Sequence, residues 1–149
     1  MAKHSTPPHT LKLEAFLPYR LSVLSERVSR ALAKEYSTLY ALSVPEWRVI
    51  AALGQGRTLS QNEIAELTAM DKVTVSRAVK ALGAKDYVVV TSDTGDKRRR
   101  QLTLTPSAQR VYTDISAKAL RFEQALLSAL SAAQQDALDT ILKTLEQHV

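Results

Sequence analysis

The sequence predicts a mainly α-helical fold that contains one small β-hairpin. Only four glycines and five prolines occur among 149 residues, and an all-β chain built from many tight turns would need more of both. Apolar residues recur at steps of three and four along several stretches, which is the period of an amphipathic helix. Because 45% of the residues are hydrophobic, the chain can form a core, and disorder is excluded for most of its length.

Helix-start signals and apolar periods together predict six helices. Three capping boxes and one cap followed by proline mark starts: Ser43-x-x-Glu46, Ser60-x-x-Glu63, Ser131-x-x-Gln134 and Thr105-Pro106. The predicted helices span about residues 17–42, 45–53, 61–68, 71–82, 106–130 and 132–147. Pro18 fits the first turn of the first helix, because its missing N–H would have no partner there. We expect Gly54-x-Gly56 to end the second helix and Gly83 to end the fourth.

One stretch breaks the helical period and predicts the β-hairpin. Residues 87–91 (YVVVT) are aromatic and β-branched, and residues 101–104 (QLTL) alternate between polar and apolar. Residues 93–96 (DTGD) form a turn cluster between them. Four consecutive cations at positions 97–100 follow this turn. The sequence therefore predicts a hairpin with a basic tip.

Residues 60–82 predict two short helices joined by a tight turn. The buried side of the first helix is expected to contain Ile64, Ala65 and Leu67. The buried side of the second helix is expected to contain Val75, Ala78, Val79 and Leu82. The opposite, polar side of the second helix carries Lys72, Val73, Thr74, Ser76, Arg77 and Lys80. A preceding helix, this pair and the basic hairpin together predict a winged helix-turn-helix.

Basic residues are concentrated in this region. The chain holds 20 Lys and Arg against 15 Asp and Glu, a net charge of +5, and residues 71–100 alone hold eight basic and four acidic residues. Guanidinium, ammonium and hydroxyl groups on one helix suit phosphates and base edges in a DNA major groove. Each signal alone also fits a solvated helix face or a loop that discourages aggregation. Their combination in this order favours double-stranded DNA as the partner.

The same region resembles the MarR family of bacterial transcriptional regulators. Asp96-Lys97-Arg98, followed by Leu104-Thr105, is similar to the family's wing pattern D-x-R-x5-L-T. Residues 45–50 (PEWRVI) and 70–77 (MDKVTVSR) resemble its second helix and its recognition helix. Many members continue L-T-x-x-G, whereas this chain has Ala108 at the last position. The resemblance implies a ligand-responsive, sequence-specific regulator of transcription, most often a repressor.

The resemblance also implies roles for the wing, and the chemistry agrees with them. Arg98 would enter the minor groove, where narrow A·T-rich stretches attract guanidinium groups. Asp96 would orient that arginine through a charge-assisted hydrogen bond, although an aspartate here also fits a plain turn end. Phosphate contacts are expected at the helix N-terminus that begins with Ser60 and Gln61. The full set expected to contact DNA is Ser60, Gln61, Lys72, Val73, Thr74, Ser76, Arg77, Lys80, Lys97, Arg98, Arg99 and Arg100.

The long outer helices predict a homodimer. A stripe of apolar residues runs along residues 106–130, and the predicted first helix is equally long. A helix of 25 residues spans about 37 Å, more than one small winged domain needs to cover. Such a surplus apolar face more often meets a second chain than its own, and the family resemblance also implies a homodimer. Two recognition helices related by a two-fold axis predict a palindromic operator with half-sites about one helical turn apart.

The resemblance further implies a small aromatic anion as effector, bound between the dimerisation helices and the winged domain. Candidate lining residues are Tyr19, Arg20, Arg27, Tyr36, Tyr40 and Trp47. The arginines would meet a carboxylate and the rings would stack on an arene. The alternative is that the aromatic residues belong to the core and that each arginine pairs with a neighbour such as Glu26 or Glu46.

The sequence lacks the residue types that several classes of function require. Cysteine is absent, and the three histidines (His4, His9 and His148) lie near the ends of the chain, so a catalytic relay, a metal site and a cysteine-based peroxide sensor are not expected. We therefore predict no enzyme and no cofactor. The sequence has no apolar run of 18 residues and no signal-peptide pattern, which predicts a cytoplasmic protein without a membrane span.

Four segments and three alternative functions complete the prediction. The segments are a flexible tail (1–10), an N-terminal dimerisation segment (11–42), the winged DNA-binding domain (43–105) and C-terminal dimerisation helices (106–149). One alternative is an architectural DNA-binding protein of low specificity. Another is an enzyme that uses only carboxylates, drawn from the pairs Glu63/Glu66 and Asp136/Asp139. The third is a winged helix that binds protein instead of DNA.

Overall fold

The computed structural model describes residues 10–92 and 100–149. Within these ranges the chain forms a short 3₁₀ turn (Leu13–Ala15), seven helices and one two-stranded sheet. The helices are α1 (Leu17–Ala33), α2 (Ser37–Tyr40), α3 (Val44–Leu53), α4 (Gln61–Thr68), α5 (Lys72–Ala84), α6 (Pro106–Leu127) and α7 (Ala132–Glu146). The strands are β1 (Val88–Ser92) and β2 (Arg100–Leu104). The predicted winged helix-turn-helix flanked by long helices is confirmed.

All four predicted helix starts are confirmed by their cap hydrogen bonds. Three are complete capping boxes, at the starts of α3, α4 and α7. In the first of them the Ser43 hydroxyl accepts from the Glu46 N–H, and the Ser43 N–H donates to the Glu46 carboxylate at 2.6 Å. Thr105 caps α6 by accepting from the Ala108 N–H. These contacts satisfy backbone donors that a helix start otherwise leaves unpaired.

The prediction of one helix over residues 17–42 is wrong, because the chain leaves the helical path after Ala33. The Tyr36 side chain, 1% exposed, packs against Trp47 with ring centroids 5.7 Å apart. The backbone of Ala41 then takes a left-handed conformation (φ 52°) and ends α2. An unbroken helix would extend for about 39 Å and would carry Leu42 away from the core in which it is buried.

Two smaller boundary predictions also need correction. Gly83 does not end the fourth helix, because α5 continues through it to Ala84. The left-handed residue that follows is Asp86, with φ 57°, and aspartate tolerates this conformation better than most residues. The fifth predicted helix, which is α6 in the structure, ends at Leu127 instead of residue 130, with Ser128 as its C-cap.

The predicted β-hairpin is confirmed and is attached to the helix-turn-helix by a third segment. β1 and β2 pair antiparallel, with Val88 opposite Leu104 and Val90 opposite Leu102. Leu59, just before α4, exchanges two backbone hydrogen bonds with Leu102, of 3.1 and 2.8 Å. Since Leu102 is 1% exposed, its side chain also anchors the hairpin in the core. The position of the hairpin is therefore fixed relative to α4.

The buried core lies among α3, α5, the hairpin and the first part of α6. Its largest fully buried side chains include Ile50, Leu53, Ile64, Leu82 and Ile115. Trp47 lies between Tyr36 and Tyr112, and its ring stacks on Tyr112 with centroids 6.4 Å apart. Gly54 ends α3 directly beside Tyr112, and a Cβ at this position would lie 2.2 Å from that ring. The predicted Gly54-x-Gly56 stop is confirmed, and the close approach explains why its first residue is glycine.

The outer helices α1 and α7 are largely exposed. Neither helix contains a residue that is buried in this chain. α6 is buried only over its first part, at Ala108, Val111 and Ile115. Within the described residues, no helix is both long enough and apolar enough to cross a membrane.

Candidate nucleic-acid interface

The two-helix unit is built from α4, a short turn and α5. Ala69 takes a left-handed conformation (φ 53°) at the end of α4, which redirects the chain within three residues. The predicted buried face of α5 is confirmed, since Val75, Ala78, Val79 and Leu82 are all buried. On α4, Ile64 and Ala65 are buried as predicted, whereas Leu67 is 57% exposed. Leu67 was therefore wrongly assigned to the core, because α4 ends one turn after Ile64 and nothing covers its last apolar residue.

The opposite face of α5 is open to solvent and cationic. Its exposed residues include Lys72, Val73, Ser76, Arg77 and Lys80. In the part of the chain that the structure describes, none of the three cations forms a salt bridge. Among residues 10–92 and 100–149, no carboxylate pairs with these charges, and this face of α5 presents a positive surface.

Thr74 differs from the other residues predicted on this face, because its hydroxyl is used within the protein. The Thr74 N–H donates to Asp71 Oδ1 at 2.8 Å, and its hydroxyl donates to Asp71 Oδ2 at 2.7 Å. These backbone and side-chain hydrogen bonds from Thr74 hold the pKa of Asp71 below its usual value. Asp71 is a fifth helix cap, which an aspartate just before an apolar period could have signalled. The structure thus places Thr74 in the cap of α5.

Ser60 and Gln61 lie at the start of α4, as predicted, but the chain's own carboxylate already occupies part of this terminus. The Ser60 N–H donates to Glu63 Oε2 at 2.7 Å, and the Ser60 hydroxyl accepts from the Glu63 N–H. The Ser60 backbone and side-chain hydrogen bonds lower the pKa of Glu63. Gln61 is exposed and Ser60 is half-buried. Gln61 is therefore the freer of the two predicted phosphate contacts.

The first strand of the hairpin packs against α5. Arg100, at the start of β2, is exposed and pairs in register with Ser92. The other predicted wing residues, Asp96, Lys97, Arg98 and Arg99, lie outside the described residues.

A partly buried ion pair holds the end of α5 against the start of α3. Lys85 Nζ lies 3.2 Å from Glu46 Oε1 and donates to the Ala41 carbonyl at 2.5 Å. Burial alone would raise the pKa of Glu46, but hydrogen bonds from Ser43 and Lys85, with the Lys85 charge, hold it below its usual value. Glu46 thus joins two elements as well as capping one. Sequence reasoning missed this pair, since no local pattern links residues 39 positions apart.

Five of the six predicted effector residues divide into two groups. Tyr19, Arg20 and Arg27 line a shallow groove of about 550 Å³ along α1, together with Glu14 and four apolar residues. Tyr36 and Trp47 are 1% and 8% exposed in the core of the winged unit. Their rings pack against each other, which agrees with the alternative prediction that these aromatic residues belong to the core.

Tyr40, the sixth of these residues, links α2 to α6. Its hydroxyl donates to Asp114 Oδ2 at 2.6 Å. This hydrogen bond, with burial and the charge of Asp114, raises the pKa of Tyr40. The two arginines do not pair with the predicted neighbours, since Glu26 binds Arg30 and Glu46 binds Lys85.

The carboxylate pairs considered for an enzyme have structural partners. Glu63 completes the capping box of α4, and Asp139 forms a salt bridge of 2.6 Å with Lys143 on α7. Among residues 10–92 and 100–149, no group of three His, Cys, Asp or Glu side chains is arranged to hold a metal ion.

Comparison with known proteins supports the geometry. A sequence model of the MarR family matches residues 41–99. A MarR/EmrR family regulator from Acinetobacter sp. ADP1 has a similar structure, with a TM-score of 0.83 and 28% sequence identity. The match covers 93% of this chain and 97% of that one. The chain is thus similar to MarR family regulators, in sequence over residues 41–99 and in fold over most of its length. Members of this family are transcriptional regulators and not enzymes, which confirms the non-enzyme prediction.

Two further proteins show the range of this similarity. An HTH-type transcriptional regulator of Staphylococcus aureus is 26% identical over 96 residues, which cover 64% of this chain and 66% of that protein. The alignment thus spans just under two thirds of that relative. The structure of MepR from S. aureus in complex with DNA has a TM-score of 0.78 at 21% identity and covers 90% of this chain and 98% of MepR. At this identity the match shows a shared fold.

Proposed function

We propose that this chain is a homodimeric regulator of transcription that binds a palindromic DNA operator through α5 and the hairpin. The observation that carries the proposal is the solvent-facing, unneutralised cationic face of α5 beside a hairpin with a basic run. The major groove of DNA admits a helix and exposes base edges and phosphates to it. MepR, which has this fold, was solved with DNA, and so was a MarR family regulator from Listeria monocytogenes.

The predicted segments take their roles within this proposal. Residues 43–105 are the DNA-binding domain, and residues 11–42 and 106–149 form the dimerisation segments. The DNA contacts are the twelve residues predicted from the sequence, with Thr74 and Ser60 secondary because their hydroxyls already take part in helix caps. Such a regulator would act in the cytoplasm, where bacterial DNA lies, and repression is the expected effect.

The dimer is supported by the apolar surface that α1, α6 and α7 leave exposed in a single chain. This surface includes Leu11, Leu13, Phe16, Leu17, Leu21, Leu24, Leu120, Leu126, Ile141 and Leu142, each 42% exposed or more. Contiguous apolar patches of this kind mark interfaces. A two-fold dimer through these helices would place two α5 helices about one turn of DNA apart.

Changing one residue in this surface tests the dimer. Leu120→Glu places a charge on a residue that is 64% exposed in the single chain, so it leaves the core of the protomer intact. We expect it to shift the mass measured by light scattering from dimer toward monomer. Val89→Glu is the control, because Val89 is also exposed but lies on β1. A dimer that survives in the Leu120 variant and in Ile141→Glu would contradict this interface.

The DNA-binding proposal is tested by fluorescence anisotropy with operator DNA at two salt concentrations. Duplexes from upstream of the chain's own gene serve as the first probe, and random-sequence duplexes serve as competitor. We expect Arg77→Ala or Lys80→Ala to weaken binding about tenfold and to reduce the salt slope by about two, because the homodimer loses one phosphate contact in each half-site. Lys143→Ala, which removes an exposed cation on α7 that pairs with Asp139, is the control and should change neither.

The outcomes of this experiment separate the competing functions. Tight binding that survives competitor supports a specific regulator. Equal affinity for every duplex would favour the low-specificity architectural alternative. Absence of binding even at low salt would contradict the DNA-binding proposal and would favour a protein partner for the winged unit.

The small-molecule response is a second part of the proposal. The structure of Bordetella bronchiseptica BpsR, which shares the fold with a TM-score of 0.78 at 20% identity, concerns regulation of DNA binding by 6-hydroxynicotinic acid. In this chain Arg20 and Arg27 line the groove on α1 beside Tyr19, so a small aromatic carboxylate would meet a cation and a ring there. A change in operator affinity with simple benzoates, lost in Arg20→Ala, would support this site, and the absence of any change would contradict it.

A further inference from the structure

The cationic face of α5 contains one large apolar side chain. Val73 is 60% exposed at the second residue of the helix. Its neighbours on this face are Lys72, Ser76 and Arg77, all exposed. The other valines of α5, Val75 and Val79, are buried in the core. Val73 therefore does not contribute to the packing of the protomer.

A valine is a poor choice for this position on structural grounds alone. Its β-branch disfavours a helix relative to Lys, Gln or Ala, which suit a solvated helix face better. Its side chain also has no donor or acceptor that could cap the helix, and Asp71 already performs that task. The exposed isopropyl group is therefore left with no role inside the protein.

The first turn of α5 holds Val73 in a defined position. Asp71 receives two hydrogen bonds from Thr74, one from its N–H and one from its hydroxyl. Because Asp71 and the Thr74 hydroxyl are hydrogen-bonded to each other, Lys72 and Val73 are the exposed side chains at this start of α5 that the cap does not use. The N-terminal residues of a recognition helix are those that reach base edges in the major groove.

We infer that Val73 recognises a thymine by packing against its C5-methyl group in the major groove. This inference rests on the proposed DNA-binding function and adds the base that one residue reads. The C5-methyl is the apolar feature of base edges in the major groove, whereas the other features are hydrogen-bond donors and acceptors. A valine offers only apolar contact, so its preference is for thymine.

The expected effect follows from the size of one methyl group. Covering one methyl carbon is worth about fourfold in affinity. A palindromic site contains the thymine twice, so removing both methyl groups lowers affinity about tenfold to twentyfold if the half-sites contribute independently. This change is within the range of anisotropy titrations.

The experiment replaces thymine by deoxyuridine, which lacks the C5-methyl and keeps the pairing edge. Operator duplexes are first selected from random DNA by the wild-type protein. Each symmetric pair of thymines is then changed to deoxyuridine in turn, and affinity is measured at one salt concentration. We expect one pair to cause the tenfold to twentyfold loss in the wild type and less than a twofold loss in Val73→Ala.

Ser76→Ala is the matched control, because Ser76 lies on the same exposed face one turn later. This variant should retain the full sensitivity to deoxyuridine. Since Val73 is exposed and alanine favours a helix, Val73→Ala should not lower the urea midpoint below that of the wild type, which shows that the fold is intact.

Three results would overturn the inference. Wild-type affinity that no deoxyuridine pair changes contradicts the thymine contact while leaving DNA binding intact. Equal losses in the wild type and in Val73→Ala assign the contact to another residue. Failure of the wild type to select any DNA removes the proposed function and this inference together.

Discussion

The ion pair between Glu46 and Lys85 makes a quantitative prediction about stability. Lys85→Met keeps the length of the side chain and removes the ammonium group that lies 3.2 Å from Glu46 Oε1. Glu46 is 7% exposed, so water cannot fully replace the lost partner. The Ala41 carbonyl loses its hydrogen bond from Lys85 as well.

The expected loss in the free energy of unfolding is about 2 kcal/mol at pH 7, the size of a hydrogen bond to a charged group. Removing one member of a fully buried ion pair costs about 3–5 kcal/mol. The smaller value applies here because the Lys85 side chain is 31% exposed and because Ser43 still donates to the Glu46 carboxylate.

The loss should depend on pH in a defined direction. Contacts with Ser43 and Lys85 hold the pKa of Glu46 below its usual value of 4.5. A carboxylate whose pKa is lower in the folded state than in the unfolded state stabilises the protein at any pH above its pKa in the unfolded state. This stabilisation is lost as the pH falls through its pKa in the folded state. The difference between wild type and Lys85→Met should therefore be constant from pH 6 to 8 and should shrink below about pH 4.5.

The measurement is urea unfolding followed by the fluorescence of Trp47, the single tryptophan of the chain, which is 8% exposed. Titrations at fixed protomer concentration keep any contribution from dimerisation equal. Lys143→Met serves as control, since its salt bridge with Asp139 is exposed on α7, and it should leave the midpoint unchanged. Equal midpoints for Lys85→Met and wild type at pH 7, or a difference that grows in acid, would refute the reasoning.

Three further substitutions test the local structure. Gly83→Ala should stabilise the protein by about 0.5–1 kcal/mol in the same urea assay, because Gly83 lies inside α5 and a Cβ there would meet nothing within 4 Å. A variant less stable than the wild type would contradict the helical conformation of Gly83. Gly54→Ala should destabilise by about 1–3 kcal/mol, because its Cβ would lie 2.2 Å from the Tyr112 ring, and the loss should be smaller in a Tyr112→Ala background. Asp71→Ala should lower the melting temperature at pH values where Asp71 is ionised, which extend below its usual range because its pKa is lowered. In stronger acid the melting temperatures should be equal, and a loss that does not depend on pH would exclude the cap as the cause.

Local chemistry explains which parts of the fold could be predicted from the sequence. A capping box places its donors and acceptors within four residues, so the pattern Ser-x-x-Glu or Ser-x-x-Gln is nearly sufficient to locate a helix start. The buried face of α5 was predicted residue by residue, because a helix of 13 residues with one covered side shows a clear period. The same reasoning located the hairpin within one residue at each strand.

The errors occur where distant contacts decide the structure. The residues from Ala33 to Leu42 continue a helical period, and only the packing of Tyr36 on Trp47 explains why the helix stops. Leu67 satisfies the period of α4 but lies beyond the edge of the core. Periodicity reports the favoured face of a helix, whereas the extent of its burial depends on elements that local patterns do not describe.

The candidate interface was predictable in outline because the residues of one helix face are close in sequence. The exposed cations of α5 were found in this way, whereas the occupied hydroxyl of Thr74 required the position of Asp71. The predicted effector residues were chosen by type from two elements that pack differently. Tyr36 and Trp47 lie in the core, whereas Arg20 and Arg27 line the groove on α1.

Helix α3 joins the outer helices α1 and α6 to α5. On one side, Arg48 donates to Ser29 of α1 at 3.1 Å, and Trp47 stacks on Tyr112 of α6. On the other side, Glu46 binds Lys85 at the end of α5. Because consecutive residues of α3 make these contacts, α3 is the direct link between the outer helices and α5. For the proposed dimer, we therefore expect a substitution that changes the packing of α1 or α6 on α3 to change the spacing of the two α5 helices.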